Sequence, residues 1–268
     1  MNFTRKKLPL DRAKEMRVCP VDSLQACVPL PAPLYALLST NQKFLAIKAP
    51  MDFLTEDDLE KASKFEALYF PPFIEQVIPY RRAGKSALWL LEGLKSGEGL
   101  RPAPFEVSDA WVQMTAPLWS GEGLIEPFFV SVFVSEVCGA FPGDLMKAVH
   151  DRDLEAYEQA VMKSSWIVWQ ALHLDFFDLD WLQALRRGVF EACGMGGRYR
   201  GPDIGEDWIR NVLLSEMPLH PITLTDFSGA SVRTKLDSRM RRLRRELIDS
   251  KQVLPSILGE SGFLEVAG

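Results

Sequence analysis

The run "LIEPFFVSVFVSEVCGAF", Leu124 to Phe141, restricts the possible folds more than any other stretch of the chain. Nearly all of its side chains are apolar, so its surroundings must exclude water on most sides. Glu126 and Glu136 interrupt it, as do Pro127 and Gly139, which leaves it too short and too charged to cross a bilayer. It is expected as a buried helix or strand. There is material to bury it: 47% of the 268 residues are hydrophobic, with seven Trp and sixteen Phe among them. A chain of this length is expected to form two or three small modules.

On the C-terminal side of that run the pattern is helical. From Asp144 to Leu174 apolar residues recur at helical spacing, among them Leu145, Val149, Leu154, Tyr157, Val161, Trp166 and Trp169. The two tryptophans, three residues apart and flanked by Ile167, Val168 and Leu172, are expected in the core. "LDFFDLDWLQALRRGVFEACGMGG" makes a further amphipathic helix, with Asp178 or Asp180 near its start and glycines at its end. A glycine-containing stretch, Gly194 to Gly205, then leads to "EDWIRNVLLSEM", another helix.

On the N-terminal side the signals are mixed. "MRVCPVDSL", "PLYALLS" and "KFLAIKAP" read as strands between turn-like residues. The polar run Ser39-Thr40-Asn41-Gln42 suits a hairpin, since Asn tolerates positive φ. Thr55 is placed to cap a helix whose first turn holds Glu56, Asp57 and Asp58, where the helix dipole favours acids. "EALYFPPF" returns as a strand. "SGEGLRPAP", Ser96 to Pro104, marks a bend or linker. The segment Leu34 to Pro72, with its Tyr-containing strand, "KFLAI" strand, helix and "LY" strand, resembles the small module that precedes some bacterial signalling outputs of the HD-GYP type. That resemblance implies a regulatory setting.

The expected fold class is α+β and mostly helical: a small α/β module at 16–95, a helical bundle at 105–195 and a terminal module at 203–268. The N-terminus has no apolar stretch followed by a small-residue cleavage site, so no secretory signal is expected. Cys19, Cys27, Cys138 and Cys193 form no CxxC pair, which points to a reduced, cytoplasmic setting.

Catalytic signatures are sparse. His150-Asp151 spells the HD pair, but phosphohydrolases of that kind hold metal with several histidines, and this chain has three, His150, His173 and His220. His150 is therefore expected as an exposed histidine beside a helix N-terminal acid. There is no GxSxG turn, and "RRAGKSAL" ends in GKS without the upstream glycine of a phosphate loop, so it reads as a polar helix entry. Asp175, Asp178 and Asp180 read as helix capping. No enzyme activity, metal or cofactor is expected.

The unusual charge lies at the C-terminal end. Eight Lys and Arg fall between Arg233 and Lys251 in a chain of net charge −5. Leu236, Met240, Leu243 and Leu247 form one helical stripe, with Lys235, Arg239 and Arg242 beside it and Arg241, Arg244 and Arg245 extending the positive surface. Arginine engages phosphates bidentately and also addresses guanine edges. "SRMRRLRREL" followed by "GESGFLEV" resembles the recognition helix and hairpin of the winged-helix domains of response-regulator transcription factors, over Ile204 to Val266. The resemblance implies a winged-helix-like module at 203–268 and double-stranded DNA as partner, with Lys235, Arg239, Arg241, Arg242, Arg244 and Arg245 facing it. No receiver domain precedes it, so phosphorylation control is not expected. Asp237, Glu246 and Asp249 pair with Arg at i to i+4 spacing, which leaves two alternatives open: an acidic protein partner or self-association, and a plain solvated face.

Overall fold

Short runs rich in leucine and aromatic residues pair into one antiparallel sheet, while the longer apolar runs form helices packed against it. The computed structural model describes residues 15–38, 43–65, 67–96, 127–173, 176–203 and 206–214. Strands β1 (Arg17–Cys19), β2 (Leu34–Leu38), β3 (Lys43–Lys48) and β4 (Leu68–Phe70) lie in the order β1-β4-β2-β3, every neighbouring pair antiparallel. The register sets Leu38 opposite Lys43 and Tyr35 opposite Tyr69. The expected hairpin pairing is therefore present, while its connecting residues 39–42 lie outside the described residues.

Alternation divides the sheet into two apolar faces. Leu34, Ala36, Leu68, Phe70 and Cys19 face the helices, and Tyr35, Phe44 and Tyr69 gather with Met16 on the other side. The Phe44 and Tyr69 rings meet edge to face at 5.0 Å, and burial pushes the Tyr35 hydroxyl up to about 12.

Between β3 and β4 runs helix α1 (Glu56–Ala62), started as its sequence predicts. Thr55 Oγ1 accepts from the Asp58 backbone N–H at 3.1 Å, and the Asp58 carboxylate accepts from the Thr55 N–H at 3.2 Å, a reciprocal capping box. Burial pushes the Asp58 carboxyl up, but the Thr55 N–H and the Lys48 ammonium outweigh it and hold it below the usual carboxylate range.

Six further helices follow among the described residues: α2 (Ile74–Ser96), α3 (Pro127–Cys138), α4 (Gly143–Arg152), α5 (Leu154–His173), α6 (Leu179–Met195) and α7 (Glu206–Leu214). The mixed α+β, mostly helical class is thus observed. The Leu124–Phe141 run supplies α3, in which every residue except Glu136 is buried; Glu136 is half-buried and tied to Arg81 of α2. A helix apolar all round belongs in the middle of a bundle, and α3 packs against both α2 and α5. No described helix is long and apolar enough to cross a membrane.

Trp166 and Trp169 are buried as expected, Trp169 edge-on to Phe133 at 5.1 Å. Helix α6 is delimited at both ends by expected residues. Asp178 accepts from the Trp181 N–H at 3.0 Å, and Gly196 closes the helix in the left-handed region at φ +66°.

Two boundaries differ from expectation. The periodic run from Asp144 breaks at Asp153, whose extended backbone (φ −163°) ends α4 and whose carboxylate accepts from the N–H groups of Glu155 and Ala156 to start α5. "RRAGKSAL" lies within α2 rather than at its entry, because helical structure already begins at Ile74. The stretch expected as a linker at Ser96 to Pro104 lies, after Ser96, outside the described residues, as does the terminal module beyond Leu214.

One buried carboxyl makes the fold sensitive to pH. Glu158 on α5 is half-buried, and burial together with nearby Glu155 pushes its carboxyl up to about 7. The folded state then binds a proton that the unfolded chain releases above its ordinary value of 4.5. This contribution to stability is full below 4.5 and is lost as pH rises through about 7. Glu158→Gln is expected to shrink the difference in melting temperature between pH 5 and pH 8; an unchanged difference would show that Glu158 ionises freely in the fold.

Candidate functional site

Most polar side chains of the described residues lie on the surface, so those held in the interior or along its seams are the ones to examine for chemistry. The largest such group lies where the loop after β3 meets the end of α4. Lys48 Nζ stands 3.2 Å from Asp58 and 3.8 Å from Asp52. Asp52 in turn lies 3.6 Å from His150 Nε2, and Asp151 lies 3.6 Å from His150 Nδ1. The imidazole is set edge-on to the rings of Phe53 and Tyr157 at 5.5 and 5.1 Å.

His150 therefore differs from the expected exposed histidine at a helix start. It is partly buried and occupies the last turn of α4, because the helix stops at Asp153. A neutral imidazole has one N–H, so it can direct a donor toward only one of the two carboxylates. The nearby Tyr157 hydroxyl donates to the Met51 carbonyl at 2.8 Å, and burial holds its ionisation well above the ordinary value, so it acts as a tether and not a nucleophile. That tether holds Met51, whose N–H donates to Leu30 at 2.9 Å, in the left-handed region at φ +63°. Among the described residues no group of three His, Cys, Asp or Glu is placed to hold a metal ion. The seam joins the sheet to the bundle.

Two cations lie deeper. Arg186 on α6 is 2% exposed and reaches the end of α3, where its guanidinium donates to the Gly139 carbonyl at 2.8 Å and to Ser135 Oγ at 2.9 Å. Gln183, one turn earlier, donates to the Cys138 carbonyl at 3.2 Å. Together they supply donors that the last turn of α3 lacks, and the positive charge sits at the negative end of the helix dipole. The Phe141 ring lies 4.1 Å from the guanidinium carbon. No described carboxylate pairs with Arg186, its Nε has no hydrogen-bond partner among the described residues, and burial lowers its ionisation to about 10.

Lys163 on α5 plays the same part for α7. Its ammonium donates to the Leu213 carbonyl at 2.7 Å, and burial pulls its ionisation down. Sequence periodicity missed both residues because each occupies a position that packing alone would assign to an apolar side chain. The available signal was a cation inside an apolar stripe: Arg186 lies between Leu182, Leu185, Val189 and Phe190.

The six residues expected to meet DNA, Lys235, Arg239, Arg241, Arg242, Arg244 and Arg245, lie outside the described residues, as does His220. Cys19, Cys27, Cys138 and Cys193 are free thiols, and burial pushes Cys138 and Cys193 up to about 11, which leaves them protonated and unreactive near neutral pH. No protein-family model matches the chain, and no curated protein and no solved structure matches it.

Proposed function

We propose that the chain is a regulatory protein that binds double-stranded DNA through the basic segment around Lys235 to Arg245, carried on a winged-helix-like module at 203–268. The observation that supports this reading is the separation of charge along the sequence. The 38 residues from Ser231 hold eight Lys and Arg against five Asp and Glu, which leaves the preceding 230 residues at net charge −8. An acidic body repels phosphate on average, so duplex contact is drawn to the segment where positive charge is concentrated. The polar interior of the described residues is used to cap helices and tie the sheet to the bundle, which suits a scaffold better than a catalyst.

The same cations also fit an acidic protein surface. Asp237, Glu246 and Asp249 each lie four residues from an arginine, Arg241, Arg242 and Arg245, which tempers the positive field of the helix. Fluorescence anisotropy of a labelled duplex with the full chain separates the two readings. Five or six phosphate contacts are expected to give log K falling against log salt with a slope of about −5. Replacing Lys235, Arg239, Arg241, Arg242, Arg244 and Arg245 by Gln should abolish binding. Absence of binding by the wild-type chain, or equal binding by the substituted one, would refute the DNA reading.

A further inference from the structure

We propose that the outward face of α2 is a second nucleic-acid contact, separate from the basic segment, that takes an unpaired strand. Ile78, Arg82, Lys85 and Trp89 follow one another at four, three and four residues and so form one stripe along the helix. Val77, Gly84, Ala87 and Leu91, on the opposite side, are buried or packed against α3. All four stripe residues are exposed, and Trp89, at 73%, is the most exposed large hydrophobic side chain among the described residues.

The charges on the stripe are available. The other two arginines near this helix are committed, Arg17 to Glu75 at 2.7 Å and Arg81 to Glu136. Arg82 and Lys85 make no ion pair with a described residue. An exposed indole beside two unpaired cations has the complement of a single strand, with a base to stack and phosphates to neutralise. A duplex keeps its base faces inside the stack and leaves the indole unused. A lipid surface needs a broad apolar face, and this stripe offers only two apolar side chains, Ile78 and Trp89.

The test uses the full chain with the six basic-segment residues replaced by Gln, so that any remaining affinity belongs to the body. The probe is a labelled oligothymidylate of about 20 nucleotides, long enough for one site. This protein is expected to bind it, with affinity falling as salt rises, and Trp89→Ala or the pair Arg82→Ala and Lys85→Ala should each weaken binding about tenfold. These side chains are exposed, so the melting temperature should not move. No binding, or binding unaffected by either replacement, overturns the proposal. So does equal binding to polyglutamate of matched charge, or a preference for phosphatidylserine vesicles over the oligonucleotide. None of these outcomes bears on whether the wild-type chain binds duplex, which the unsubstituted protein reports.

Discussion

Replacing Arg186 by alanine is expected to destabilise the fold by about 2–4 kcal/mol, read as a drop in the urea midpoint. Two effects oppose each other. The guanidinium is buried with no carboxylate partner among the described residues, so removing it relieves a desolvation cost. Against that, the Gly139 carbonyl and Ser135 Oγ lose a charged donor, each such bond worth about 1.5–3 kcal/mol, and the Phe141 ring loses the group packed on it. The second set wins because the acceptors stay where they are and nothing in the core replaces the donor. Arg186→Met refills the volume but cannot donate, so it should fall between wild type and alanine. A midpoint unchanged by Arg186→Ala would show that α3 does not depend on this contact.

Gly84→Val is expected to cost about 3 kcal/mol, by the opposite mechanism of overpacking. A Cβ at Gly84 would lie 2.6 Å from the Phe133 carbonyl oxygen and 2.7 Å from Glu136 Cβ, so α2 could not keep its present approach to α3. Removing a helical glycine ordinarily favours the helix by up to about 1 kcal/mol, and less for a β-branched replacement. The clash exceeds that gain because one of the atoms in the way is backbone of a buried helix, which no side-chain rotation relieves. Thermal denaturation should show a lowered midpoint; an unchanged or raised one would mean the two helices can separate without loss.

Features encoded locally were legible in the sequence. Thr55 and Asp178 announce helix starts, Gly196 announces a stop, and the unbroken apolar run of α3 demands a central position. The strands were legible as types, yet β1 and β4 hold three residues each and are set by partners far away in sequence. The break at Asp153 was hidden because apolar spacing continues across it on both sides. The seam around His150 was hidden for another reason: its partner Asp52 comes from the loop after β3, far away in sequence, and no local pattern predicts which loop a helix end will meet. The basic cluster was plain in composition, whereas Arg186 looked like one more charge on an amphipathic helix.

The sheet's inner face depends on helices that come much later in the chain. Leu68 and Phe70 share a cluster with Tyr157 and Phe190, and Tyr157 is tied to Met51 across 106 residues. A ribosome adding about 5–20 residues per second needs roughly 6–24 seconds to pass from Phe70 to Phe190. Throughout that interval the nascent strands carry Leu34, Leu68 and Phe70 without their final cover, so the half-made chain passes through a stage at which apolar sheet surface faces water.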